Sequence, residues 1–217
     1  MATPEQQNQQ NSGDGGINFG AKRDVDVNAR DVAGRDIHNQ TNITNNYLQS
    51  ATDERQKLLA EAEALFAQLP TAELPPHKTP PSPSRTVYGR NPNFVGRRTE
   101  LLELAQQVKD GRHVAIAATG LGGIGKSQLA IEFVHRYGQF FAGGVYWISM
   151  AQPEVVPTEL AQCGARLGIA GINDLPQPEL VERVKQAWET PLPRLLIFDN
   201  CEDEALYARY KPATSNC

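Results

Sequence analysis

The sequence predicts an α/β fold with a mostly parallel sheet and flanking helices. Three observations predict it. Short apolar runs, His113–Ala118, Gly144–Ser149 and Arg194–Asp199, read as buried strands. Stretches with helical periodicity separate them, and this alternation favours parallel strands joined by crossover helices. Between the first strand and its helix lies Gly120-Leu121-Gly122-Gly123-Ile124-Gly125-Lys126-Ser127, which fits G-x-x-x-x-G-K-[ST].

That motif has a physical reason for each residue type. The glycines let the backbone curl until successive N–H groups face one anion. Lys126 adds a point charge for the β- and γ-phosphates. Ser127 offers a hydroxyl to Mg²⁺, and Gln128 follows in the first helical turn. The helix presents its positive end to the phosphates. Leu129, Ala130, Phe133, Val134 and Tyr137 share one face of the helix, and Gly138 is placed to cap its end. Gly120, Gly122 and Gly125 also satisfy G-x-G-x-x-G. The dinucleotide reading needs an acid at the end of the second strand. That strand ends in Ser149 and Met150, so a mononucleotide P-loop is the better fit. A glycine-rich turn that binds nothing leaves Lys126 and Ser127 unexplained.

Leu195-Leu196-Ile197-Phe198-Asp199 is an apolar run closing on an acid. A buried parallel strand delivers such an acid to the crevice at the carboxyl edge of the sheet. Beside a P-loop, Asp199 takes the role of holding the water shell of Mg²⁺. Lys126 and Asp199 are thus the candidate catalytic residues, and Ser127 and Asp199 the candidate metal ligands. The position after Asp199, where a second acid would orient water, is Asn200. Glu202 and Asp203 follow as possible substitutes. This set supports nucleotide binding and leaves open whether the chain is a slow ATPase.

The rest of the chain divides by composition. Residues 1–21 are polar and rich in Gly, Gln and Asn, as disordered segments are. Residues 22–48 carry Arg23-Asp24-Val25, Arg30-Asp31-Val32 and Arg35-Asp36-Ile37. Alternation at Val25 and Val27, and around Ile43, reads as short β-repeats. Such strands cannot bury enough apolar area alone, which points to self-association through residues 22–69. Residues 51–69 read as an amphipathic helix with Leu58, Leu59, Ala62, Leu65, Phe66 and Leu69 on one face. Residues 70–93, with seven prolines, read as an extended, semi-rigid linker. Residues 94–217 form the globular part. In it Thr99 is placed to cap a helix of Leu101, Leu102, Leu104, Ala105 and Val108, and further helices fall near 154–168 and 178–189.

Composition excludes several classes. A net charge of −4 gives no general affinity for nucleic acid or acidic membranes. No apolar run approaches ~18 residues, and the polar start has no signal-peptide pattern. Three cysteines, Cys163, Cys201 and Cys217, form no metal pattern and no disulfide framework. A cytoplasmic protein is expected.

Phe94-Val95-Gly96-Arg97-Arg98-Thr99-Glu100-Leu101 resembles the segment that opens the nucleotide-binding domain of STAND ATPases, in particular their NB-ARC branch. Gly120–Ser127 is similar to that family's P-loop, and Leu195–Asp203 to its Walker B segment. Gly144–Ser149 resembles its second strand. The likeness covers about residues 93–203. It departs at Arg98, where the family places a glutamate. The resemblance implies ATP and ADP as ligands with Mg²⁺, and contacts from Val95, Gly96 and Arg97 to adenine and ribose. It implies a signalling switch that ADP closes and ATP opens. The Arg-Asp repeats resemble β-repeat segments that precede such domains in bacterial proteins. Family members continue past the Walker B strand with a sensor strand and further domains, whereas this chain stops eighteen residues past Asp199. The resemblance therefore predicts an incomplete sheet, with the P-loop and Walker B strands lacking a shared neighbour, and marginal stability as a monomer.

Overall fold

A computed structural model describes residues 29–110, 113–118 and 125–213, with side chains from residue 48 onward except those of 113–118 and Asn173. The chain divides into two compact units, Met1–Gln49 and Ser50–Cys217. Among the described residues no helix is long and apolar enough to cross a membrane.

The backbone is helical from Ala29 to Ala67 (α1). This corrects the strand reading of 22–48 from Ala29 onward; residues 22–28, with Val25 and Val27, lie outside the described residues. The reason is periodicity. Within 29–48 no apolar pair is spaced by two, whereas Ala33 and Ile37, and Ile43 and Tyr47, are spaced by four. The amphipathic stretch does end in a buried face, with Ala62, Phe66 and Leu69 inside the second unit. Leu58, placed on that face by spacing, is instead 63% exposed.

The second unit is a three-layer α/β fold. Helix α2 (Arg98–Lys109) precedes strand β1 (His113–Ala118) and helix α3 (Lys126–Tyr137). Strand β2 (Val145–Ser149), helices α4 (Val156–Arg166) and α5 (Gln177–Trp188), strand β3 (Arg194–Asp199) and helix α6 (Glu204–Tyr210) follow. The sheet is parallel, in the order β1-β3-β2. Strand β3 is buried along its whole length, as a central parallel strand must be. Side-chain alternation splits the core in two. Leu195, Ile197, Val145 and Trp147 face Leu101, Phe133, Tyr137, Phe66 and Leu69. Leu196, Phe198, Tyr146 and Ile148 face Leu160, Val184, Trp188 and Tyr210.

Two expectations change here. Strands β1 and β3 were expected to lack a shared neighbour, but they pair directly over six register positions, from His113 with Arg194 to Ala118 with Asp199. Direct parallel pairing satisfies the backbone groups that the expected gap would have exposed. Thr99 does not cap α2. The helix starts two residues earlier than a Thr99 cap would require, and Arg97 stands at its N-cap in the left-handed region (φ 54°) with no side-chain cap bond.

The proline-rich segment is a strap rather than a free spacer. Its backbone joins the sheet edge, where the Arg85 N–H donates to the Val145 carbonyl at 2.7 Å and the Trp147 N–H to the Arg85 carbonyl at 2.9 Å. The Arg85 guanidinium binds Glu159 at 2.9 Å and the Gln162 amide oxygen. Farther up, the Lys78 N–H donates to the His135 carbonyl at 2.8 Å, and Arg136 donates to the Pro75 carbonyl at 3.0 Å. Gly138 closes α3 with φ −54°, so it needs no left-handed freedom. It is small because a β-carbon there would meet Pro80 Cγ at 2.9 Å.

Candidate functional site

The site follows from strand polarity. All three strands end at one edge, where Ala118, Asp199 and Ser149 stand in register. Alternation along β3 puts Asp199 on the same face as Leu195 and Ile197, the face that α3 covers. Gly125 precedes α3 in the left-handed region (φ 75°) and turns the chain into the helix. Lys126 and Ser127 then fall in the first turn, both half-buried.

Across this junction the Ser127 hydroxyl donates to Asp199 Oδ1 at 2.7 Å, joining residues 72 positions apart. Asp199 is 2% exposed. The same oxygen accepts the Asn200 N–H at 3.1 Å. Asn200 is exposed and left-handed (φ 56°), which turns the chain sharply away from the strand. A buried carboxylate oxygen beside a serine hydroxyl is a hard-oxygen pair. Octahedral Mg²⁺ at 2.0–2.1 Å sets neighbouring ligands about 2.9 Å apart, so the 2.7 Å pair fits that ion with little movement.

The turn before α2 lies against the first turn of α3. Arg97 Nη1 donates to the Gly125 carbonyl at 2.8 Å, and Arg97 Nε donates to Glu100 at 2.9 Å. Asn91 donates to the Gln128 side chain at 2.9 Å. Gly96 is left-handed (φ 75°), and Val95 is 84% exposed. The sequence-predicted residues Val95, Gly96, Arg97, Gly125, Lys126, Ser127, Gln128 and Asp199 are thus described. Gly120, Leu121, Gly122, Gly123 and Ile124 lie outside the described residues. Sequence reasoning missed Asn91 and Glu100. Glu100 had a signal, the i,i+3 spacing from Arg97 that suits an ion pair; Asn91 had none.

Asp203, named above after Asn200, makes a structural contact. Asp203 caps α6, its carboxylate accepting the Ala205 and Leu206 N–H groups at 2.8 and 3.1 Å. Such a bond pair is what an N-cap carboxylate makes. Burial disfavours the thiolate at both buried cysteines. Burial pushes the Cys163 thiol up to about 12, and burial followed by the Asp203 charge raises that of Cys201.

Comparison with known proteins gives distant relatives. The chain is 28% identical over 188 residues to Regulatory protein AfsR of Streptomyces coelicolor. It is 27% identical over 139 residues to Regulatory protein AfsR of Streptomyces griseus. A nucleotide-binding leucine-rich repeat (NLR)-like protein of Hyaloscypha variabilis is 27% identical over 175 residues. The matches cover 78%, 58% and 74% of this chain but only 18%, 14% and 17% of the respective relatives. The chain therefore spans less than a fifth of the length of the curated relatives it matches. No family model and no solved structure matches it. Relatives with these names are consistent with a signal-transduction regulator.

Proposed function

We propose that the chain is the ADP/ATP-binding module of a STAND-type signal-transduction ATPase switch, built on a P-loop NTPase fold. One observation carries the reading. The serine of G-x-x-x-x-G-K-[ST] and the acid closing the β3 run, 72 residues apart, meet at 2.7 Å on the carboxyl edge of a parallel sheet. A metal-shell reading requires that meeting, and neither motif alone compels it. Relatives named as a regulatory protein and an NLR-like protein support the same reading.

In this proposal the glycine-rich loop and Lys126 bind the phosphates, and Ser127 and Asp199 hold Mg²⁺ directly or through its water. Bound Mg²⁺ would neutralise phosphate charge and fix its orientation. Val95, Gly96 and Arg97 flank the adenosine side. Self-association through residues 22–69 belongs to the same reading. The exposure of Leu48 (58%) and Leu58 (63%) on α1 supports it, and light scattering of the full chain tests it.

Calorimetry with Mg²⁺ tests the binding claim. Wild type is expected to bind ADP in the micromolar range or tighter, and Lys126→Ala to lose about tenfold or more, the equivalent of one charge-assisted bond of roughly 1.4 kcal/mol. Wild type that binds neither ADP nor ATP would sink the reading.

A further inference from the structure

We infer that Arg97 is a positioning residue, which fixes the peptide where the phosphate loop enters α3. The inference rests on the nucleotide-binding reading above and assigns Arg97 a different part from base or ribose contact. Its guanidinium is held through both Nε and Nη1. Nε donates to Glu100 Oε1 at 2.9 Å and Nη1 donates to the Gly125 carbonyl at 2.8 Å. Two bonds from one rigid fork fix the orientation of the group as well as its place.

The Gly125 carbonyl also accepts the Leu129 N–H at 2.9 Å, the first bond of the helix. It therefore takes one donor from the helix and one from Arg97. That carbonyl belongs to the same rigid peptide plane as the Lys126 N–H. Rotating the plane would strain both bonds and swing the Lys126 N–H away. The first-turn N–H groups have no partner within the helix and are the ones a phosphate would use. Arg97 thus acts on the ligand through backbone, without touching it.

Two further features belong to the same device. Arg97 holds a left-handed conformation (φ 54°), which a non-glycine residue keeps only where its surroundings enforce it. A β-carbon at Gly125 would stand 3.3 Å from Arg97 Nη1, so glycine there leaves the seat open. The Asn91–Gln128 bond ties the same turn to the same helix a second time.

The test measures binding of ADP, ATP and inorganic tripolyphosphate, each with Mg²⁺, to full-length wild type, Arg97→Ala and Arg97→Lys. Hydrogen exchange of the ligand-free proteins accompanies it. Arg97→Ala is expected to weaken all three ligands by one common factor, roughly tenfold. Arg97→Lys is expected to recover part of the loss, since an ammonium can still donate to Gly125. Without ligand, the Lys126 and Ser127 amides should exchange faster in Arg97→Ala while β3 amides keep their wild-type rates. A loss confined to ADP and ATP would mean base or ribose contact and overturn the inference. A loss confined to ATP and tripolyphosphate would mean γ-phosphate contact and overturn it too. Unchanged exchange at residues 126 and 127, or faster exchange everywhere, would also reject it. Wild type that binds none of the three would remove the nucleotide reading itself, and the exchange measurement would then judge the Arg97 contact on its own.

Discussion

Two buried carboxylates pack along α3, one near its middle and one against its amino end, and they are satisfied in opposite ways. At the carboxyl half, Glu132 is 3% exposed and faces the His77 imidazole at 2.8 Å and the Arg136 guanidinium at 2.6 Å. At the amino end, Asp199 is 2% exposed and takes its bonds from neutral donors, the Ser127 hydroxyl and the Asn200 amide. Burying a carboxylate is costly unless it is paired. Glu132 finds its pairing inside the chain, on the strap and one turn along its own helix. Asp199 sits against the first turn of α3, at the positive end of that helix. The difference separates two roles: Glu132 is matched by partners within the chain and clamps the fold, whereas Asp199, bonded to neutral groups, is the acid that the proposed function assigns to the Mg²⁺ shell.

Glu132→Ala should break this contrast most strongly. It leaves Arg136 and His77 without their common acceptor and loosens the strap from α3. Loss of one member of a buried ion pair costs about 3–5 kcal/mol. Both partners here keep partial access to water, 28% for His77 and 21% for Arg136, so about 2–3 kcal/mol is expected by urea denaturation. Limited proteolysis within residues 70–93 should accelerate in parallel. An unchanged denaturation midpoint would show that the clamp does not hold the strap.

Asp199→Asn should act on the other side of the comparison. The amide oxygen can still accept from Ser127, so stability should change by less than about 1 kcal/mol. Affinity for ADP in the presence of Mg²⁺ should fall roughly tenfold, about 1.4 kcal/mol, because the negative charge on the ion's shell is gone. In EDTA the variant and wild type should bind alike. Equal losses with and without Mg²⁺ would mean that Asp199 supports the loop rather than the metal.

The sequence carried the central strands and helices well. Five apolar residues on one face of α3 and the apolar run Leu195–Phe198 in β3 leave few alternatives, and the observed limits fall within two residues of the expected ones. Asp199 was legible because strand parity and motif order both point to it. The strap was not. Seven prolines say only that the segment is extended; its place on the β2 edge depends on Arg85 meeting Glu159 and Gln162, pairings 74 and 77 residues away. Helix α1 was half legible. Its packed end has a regular apolar stripe, but two alternating valines outside 29–48 suggested a strand where the period of four prevails.

The smallest effect, and the sharpest for the comparison, is in acid. Burial alone would raise the Glu132 carboxyl; hydrogen bonds from His77 and Arg136, with their charges, outweigh it and hold the group below its usual 4.5. A carboxylate with a depressed folded value contributes stability that is fully present above the unfolded value, and loses it as pH falls through the folded one. Wild-type stability should therefore decline as pH drops below about 4.5, and Glu132→Gln should flatten that part of the profile, since it has no proton to take up there. The two curves should converge as acid removes the charge that wild type alone carries. Parallel curves would show that other carboxylates govern acid unfolding, and that the clamp's charge, unlike its hydrogen bonds, is idle.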